Sequence, residues 1–288
     1  MNRRPKYSIV TICKGRLHHL VRSLPAMLRQ PFAEVVVVDY ACPDGTADYV
    51  AANFPAARVV RVTDAASFNA SHARNLGAGA ALGDVFVFVD ADVVLADSFI
   101  AAVELGLGPN QYAKFAEPTI PRDNSVQGTC VIHRRHFELI GGYDEVLTNY
   151  GGEDLELYER LAIAKIGRLT IDQREVVEVI DHGRAERTRF FEIAPEPGFL
   201  IGKVYRVAMA MMIRLGDSFV VDRELRAGVY KEVTRLVGNM INRGERNLRL
   251  EITFPDAASH GLHQRWQFTR SIVIRVDPRG DVAEGERG

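Results

Sequence analysis

The chain has little sulfur, no long apolar run and almost no net charge. Three cysteines, Cys13, Cys42 and Cys130, are too few and too odd in number for a disulfide framework, so a reducing, cytoplasmic setting is expected. Cys13 and Cys42 read as small packing residues near adjacent strand ends, not as nucleophiles. No uninterrupted apolar stretch approaches the roughly 20 residues that span a bilayer. The basic, polar stretch Met1–Lys6 leads into no apolar segment, so no secretory leader is expected. A formal charge of −1 over 288 residues gives no pointer to nucleic acid as a partner. Two familiar α/β signatures are also missing. Cys13-Lys14-Gly15-Arg16 carries one glycine where a dinucleotide-binding turn needs several, and the opening strand lacks the acidic pair of a haloacid-dehalogenase-type phosphatase.

What is present is an alternation of strands and helices. Glu34–Asp39 and Asp84–Asp90 are short β-branched and aromatic runs that end in Asp, the composition of strands buried on both faces of a parallel sheet. Tyr7–Cys13 and Ala57–Val62 read as two more strands. Helices are expected near 17–30, 45–54 and 70–82. The alternation predicts a doubly wound, mostly parallel α/β domain, whose ligands bind at the carboxyl ends of the strands. Lys14, Asp39, Asp90 and Asp92 all fall on that rim. Asp90-Ala91-Asp92 leaves its strand as a close acidic pair, for which a divalent cation is a natural neutraliser; oxygen ligands suit Mg²⁺ or Mn²⁺ better than zinc.

Further along, Tyr150-Gly151-Gly152-Glu153-Asp154 stations two carboxylates where a loop becomes a helix. Leu155, Tyr158, Leu161 and Ala162 recur at helical spacing, with Glu156 and Arg160 as an i,i+4 pair on the other face. The helix dipole is expected to favour ionised Glu153 and Asp154 in the first turn, where either could accept a proton from a hydroxyl. The competing reading is an ordinary acidic first turn. Asp39 could likewise merely end a strand. Arg74 could pair on the surface with Asp64 or Glu104, and His182 could belong to a local network with Asp181 and Arg184.

Taken in order, these residues resemble the metal-dependent family 2 glycosyltransferases of GT-A fold, extended by a galactosyltransferase-like segment. Ser8-Ile9-Val10-Thr11, Lys14-Gly15-Arg16, Val37-Val38-Asp39 and Pro43-Asp44-Gly45-Thr46 are similar to the family's nucleotide-binding opening. Ala73-Arg74-Asn75-Leu76-Gly77 resembles its Ala-Arg-Asn-x-Gly helix, and Asp90-Ala91-Asp92 its metal motif. Gly141-Gly142-Tyr143-Asp144-Glu145 and Gly151-Gly152-Glu153-Asp154 resemble its acceptor-side signature. The resemblance implies that Asp39 contacts the uracil or ribose of a UDP-sugar, and Arg74 the base or diphosphate, with Lys14 beside them. It implies Asp92 as a direct metal ligand, Asp90 on ribose or a metal-bound water, and His182 completing the metal shell. Asp154 would be the catalytic base, and Glu153 would hold sugar or acceptor hydroxyls. Tyr40 departs from the family's commoner second Asp. A nucleotide-sugar-binding non-catalytic relative and a nucleotidyltransferase of similar fold remain as alternatives.

The expected organisation is a catalytic unit over 1–193, divided into a nucleotide-sugar half of about 1–95 and an acceptor half of about 96–193, followed by a helical extension over 194–288. Ala194-Pro195-Glu196-Pro197-Gly198 is expected to break the chain before a helix at 200–215, where Val204, Val207, Ala208, Met211, Met212 and Leu215 form an apolar stripe. That stripe either packs on its own domain or, flanked by Lys203, Arg206 and Arg214, faces a lipid-linked acceptor, the inner membrane surface or a second copy. A helix near 222–242, two strands at 248–254 and 271–276 that may pair, and a flexible tail over 277–288 complete the reading.

Overall fold

The computed structural model describes residues 6–116, 126, 128–193, 195–216, 218–254 and 268–275. Its elements run β1 (Tyr7–Cys13), α1 (Leu17–Leu28), β2 (Ala33–Tyr40), α2 (Thr46–Asn53), β3 (Arg58–Val62), α3 (Ala70–Ala80), β4 (Val85–Phe88) and β5 (Val93–Leu95). They continue through α4 (Phe99–Gly106), β6 (Gln111–Phe115), β7 (Cys130–His133), α5 (Arg134–Leu139), α6 (Glu153–Ile163), β8 (Gly167–Ile171) and β9 (Val176–Val179). The last are α7 (Arg184–Thr188), α8 (Pro195–Leu215), α9 (Arg223–Asn242), β10 (Asn247–Phe254) and β11 (Phe268–Arg275). The expected flexibility of residues 277–288 concerns a segment outside the described residues.

Seven strands form one sheet in the order β3-β2-β1-β4-β7-β6-β8. β3, β2, β1 and β4 run parallel, β7 is antiparallel to β4 and to β6, and β8 returns parallel to β6. This is the GT-A fold. Alternate residues of the same strands enter different apolar clusters: Ile9, Val35, Val37 and Val87 lie on one face, Val10, Val36, Phe86 and Phe88 on the other. The unbroken Val and Phe runs are therefore what a sheet covered on both sides requires. The absence of a side chain at Gly77 lets α3 lie so close on β1 that a Cβ there would collide with Val10.

Three expectations need correction. Ala194 lies outside the described residues, and Pro195–Gly198, expected as part of a chain break, is instead the start of α8. Pro195 and Pro197 stand in its first turn, where the missing N–H groups have no intrahelical partner to lose. In α6 the buried apolar residues are Leu157, Tyr158 and Leu161, whereas Leu155 and Ala162 are exposed. The Glu156–Arg160 pair forms, but inside the protein, beneath the C-terminal helices. Finally, the apolar face of α8 is occupied within the chain. Val204, Ala208 and Met212, joined by Tyr205 and Met209, pack with Leu147, Val233, Val237 and Leu250, while Val207 is exposed. No membrane or homo-oligomer contact through 200–215 finds support in that arrangement. Among the described residues, no helix is long and apolar enough to cross a membrane. The strands β10 and β11 do pair, antiparallel, from Asn247↔Arg275 to Phe254↔Phe268.

Candidate active site

The site forms where the parallel strands end. β1 delivers Lys14, whose ammonium donates to the carbonyls of Tyr40 (3.2 Å), Ala41 (3.2 Å) and Ala65 (2.8 Å), tying neighbouring strand ends together. β4 delivers Asp90, and the turn into β5 carries Asp92. β5 pairs antiparallel with β9, Val93 opposite Val179, and the Ile180 amide donates to the Asp92 carbonyl at 2.8 Å. That short ribbon brings His182 to Asp92 across ninety positions of sequence: Nδ1 of His182 stands 3.4 Å from Oδ2 of Asp92. The same nitrogen lies 3.0 Å from the Ile180 carbonyl, and Arg187 Nε reaches Nε2 at 3.2 Å.

From the other side come α3 and α6. Asn69 caps α3 by accepting from the His72 amide. Arg74, 4% exposed, points inward over the Tyr143 ring. Its guanidinium donates to Asp90 Oδ1 and to Glu153 Oε1, both at 2.9 Å, and lies 3.5 Å from Asp154 Oδ1. The surface pairing with Asp64 or Glu104 therefore does not form; Glu104 binds Lys6 instead. Next along α3, Asn75 donates to the Tyr143 carbonyl and Glu145 Oε1 and accepts from the Tyr143 amide. The Ala73–Gly77 motif thus anchors the Gly141–Glu145 loop as well as the site. Gly151 and Gly152 approach α6 with φ of 76° and 99°, a left-handed path that side chains resist. Glu153 and Asp154 form the first turn of α6, as the sequence indicated.

The ionisation of Asp154 differs from what the helix dipole alone predicts. Burial pushes the Asp154 carboxyl well above the usual carboxylate range, with Glu153 and Asp90 adding to the rise and Arg74 opposing it. Desolvation outweighs the dipole because the group sits in the low-dielectric interior. Asp154 Oδ1 is sealed from water and makes no hydrogen bond. Burial likewise raises Asp92, with Asp90 contributing, against the lowering effects of Arg16 and His182.

These groups line an open cavity of about 890 Å³, solvent at its mouth included. Four basic side chains, Lys14, Arg16, Arg74 and Arg187, face four carboxylates, Asp90, Asp92, Glu153 and Asp154, across it. A metal–diphosphate unit carries little net charge and can enter without upsetting that balance. The residues present fit a divalent cation: Asp92 offers a hard oxygen, His182 an imidazole nitrogen, and the mutual repulsion of Asp90 and Asp92 is relieved by positive charge. Phe68, Tyr150 and Phe191 form an aromatic wall, with ring centroids 5.5 Å apart for Phe68–Phe191 and 5.4 Å for Tyr150–Phe191.

Of the residues singled out in the sequence, Lys14, Arg74, Asp90, Asp92, Glu153, Asp154 and His182 all meet at this cavity. Asp39 is not in its lining; its two oxygens accept from the amides of Cys42 and Ala47, both at 2.7 Å, and shape the β2–α2 loop. Tyr40 turns inward onto Phe68 and bonds His72 through its hydroxyl. Arg187 and Phe191 were not anticipated, although the basic and aromatic run Arg187-Thr188-Arg189-Phe190-Phe191 directly after His182 was a usable signal. Phe68 had none, since a lone aromatic before a helix is ordinary.

Residues 8–104 match the family described as Glycosyl transferase family 2, and residues 111–189 match the N-terminal domain of galactosyltransferase. The chain is a glycosyltransferase, built from a family 2 segment followed by a galactosyltransferase-type segment. Among solved structures it is similar to the mannosyltransferase PcManGT from Pyrobaculum calidifontis in complex with GDP-Man and Mn²⁺, with 18% identity, a TM-score of 0.54 and coverage of 84% of this chain and 80% of that one. It is also similar to residues 1–349 of S. aureus TarS in complex with UDP-GlcNAc, with 13% identity, a TM-score of 0.55 and coverage of 79% and 72%. No curated protein matches it in sequence.

Proposed function

We propose that the chain is a metal-dependent, inverting glycosyltransferase that moves a hexose or N-acetylhexosamine from a UDP-sugar to a hydroxyl of a glycan, a lipid-linked saccharide or a small molecule. The observation that carries this reading is the convergence of the Glu153–Asp154 carboxylates and the Asp92–His182 pair on one cavity. Asp154 Oδ1 is ion-paired with Arg74 at 3.5 Å but accepts no hydrogen bond, and an acceptor hydroxyl that donates to it would complete its shell. With its proton affinity raised, Asp154 is matched to taking that hydroxyl's proton as the bond to the sugar forms. Arg74 holds Glu153 and Asp90 in place, and Glu153 is positioned for sugar or acceptor hydroxyls. Asp90 is read as a contact to ribose or a metal-bound water.

Asp92 and His182 would hold Mn²⁺ or Mg²⁺, which when bound neutralises charge developing on the leaving diphosphate. Arg16, Arg187 and Lys14 support the same anion, and the aromatic wall offers an apolar face to the transferred sugar. One base facing the sugar supports a single in-line displacement and hence inversion. The complex of PcManGT with GDP-Man and Mn²⁺ and that of TarS with UDP-GlcNAc are consistent with a divalent metal and a nucleotide-sugar donor.

The test is incubation with UDP-sugars, and with GDP-mannose in parallel, together with Mn²⁺ and candidate acceptors, with nucleoside diphosphate release read by mass spectrometry. UDP release that stops with EDTA and returns with Mn²⁺ or Mg²⁺ is the expected result, and Asp92→Ala should lose both metal response and donor affinity. Full turnover in EDTA would overturn the metal assignment. A product whose NMR spectrum keeps the donor's anomeric configuration would overturn inversion.

A further inference from the structure

We propose a second metal site, of zinc class, formed by His18, His19 and Glu186 on the outer side of the catalytic cavity. One ring nitrogen from each histidine and a carboxylate oxygen of Glu186 lie within 4.8 Å of one another. Glu186 Oε1 stands 3.3 Å from His18 Nε2 and 3.7 Å from His19 Nε2. Yet this oxygen is sealed from water and accepts no hydrogen bond, and the buried His19 Nδ1 also lacks a partner. Two imidazoles therefore flank, at ion-pair distance, a carboxylate oxygen that accepts no hydrogen bond from either. Ligands about 2.0–2.1 Å from a tetrahedral ion are separated from one another by roughly 3.3 Å. The 3.3 and 3.7 Å spacings of Glu186 Oε1 from the two imidazoles are close to that separation, so a small closure of the two histidines would let all three bind one ion.

Two imidazoles and one carboxylate suit Zn²⁺ and its spectroscopic stand-in Co²⁺, whereas an all-oxygen set would suit Mg²⁺ or Ca²⁺. The exposure of His18 leaves a fourth position open to solvent. None of the three residues lines the catalytic cavity. The His19 ring nevertheless packs against that of His182, centroids 4.9 Å apart, and Glu186 belongs to α7, which also carries Arg187. An ion here clamps α7 onto α1 and thereby fixes the segment that carries Arg187 and Phe191 to the cavity. The inference does not depend on the glycosyl-transfer reading.

The experiment uses the full chain, stripped with EDTA, carrying Asp92→Asn so that the catalytic metal pair is disabled. Co²⁺ is titrated by visible absorption and Zn²⁺ by calorimetry. One equivalent of Co²⁺ should give the intense bands of tetrahedral coordination, displaced by Zn²⁺ and not by Mg²⁺. Adding His18→Ala or Glu186→Gln should remove the bands and weaken Zn²⁺ binding by at least the roughly 10–100-fold that loss of an outer-sphere partner produces. Both positions are partly exposed, and circular dichroism checks that each variant is folded. Absence of tetrahedral bands, or bands that survive both substitutions, would overturn the site.

Discussion

Two buried charge clusters share α6, and they are built on different rules. Beneath the C-terminal helices, Glu156 receives a two-pronged hydrogen bond from Arg160, at 2.6 and 2.5 Å, and Arg160 also donates to the Ile140 carbonyl. Beside them Asp144 accepts from Tyr205 (2.6 Å) and Arg226 (2.5 Å). Two acids meet two bases and every carboxylate oxygen is occupied. At the cavity, one guanidinium, Arg74, faces Asp90, Glu153 and Asp154, and Asp154 keeps an oxygen that accepts no hydrogen bond. A network whose acids and bases balance holds two parts of the chain together, whereas an unbalanced one is poised for charge that arrives with ligand and metal.

Substitutions that separate binding, chemistry and stability sharpen the contrast. Asp154→Asn should lower turnover roughly 10²–10⁴-fold while UDP-sugar binding in the presence of metal persists. The same variant should melt higher at neutral pH. The folded state holds the Asp154 proton more tightly than the unfolded chain does, so this group's contribution to stability is present at low pH and lost as pH rises through its elevated value. A lower melting temperature would place Asp154 in the structural class. In the balanced cluster, Arg160→Met should destabilise by about 3–5 kcal/mol, because Glu156 is left buried and uncompensated. Denaturant unfolding measures the loss, and turnover per folded molecule should stay near that of the parent. Tyr205→Phe removes one hydrogen bond to a buried carboxylate and should cost about 1.5–3 kcal/mol by the same measurement.

His182→Ala is a subtler probe. It should raise the metal concentration for half-maximal activity far more than it lowers the melting temperature, and early melting with unchanged metal response would make His182 a packing residue. The pH–rate profile is subtler still. Its acid limb should lie above the ordinary Asp range, because the base must lose a proton that burial retains, and an acid limb near 4 would reassign the base.

The comparison also explains what could be read in advance. The strand runs and the ends of β1 and β4 were legible because a sheet covered on both faces leaves a continuous apolar signature. Acidic residues at a strand end or a helix start are visible as local breaks in that pattern. The buried face of α6 was not legible. Periodicity counts apolar residues, and it cannot register a Glu–Arg pair that becomes buried because the two charges satisfy one another. Nor could it tell Asp39, whose oxygens are consumed by its own loop, from Asp92, whose carboxylate reaches the cavity.

By itself, the order of motifs along the chain determined the α/β alternation, the family resemblance and most of the residues at the cavity, because each is a local consequence of composition and spacing. Only the tertiary structure decided that the β5–β9 ribbon sets His182 against Asp92, that Arg74 is the shared partner of three carboxylates, and that burial overrides the helix dipole at Asp154. Those outcomes depend on distances between residues far apart in sequence and on the exclusion of water, and neither quantity is written in a local pattern.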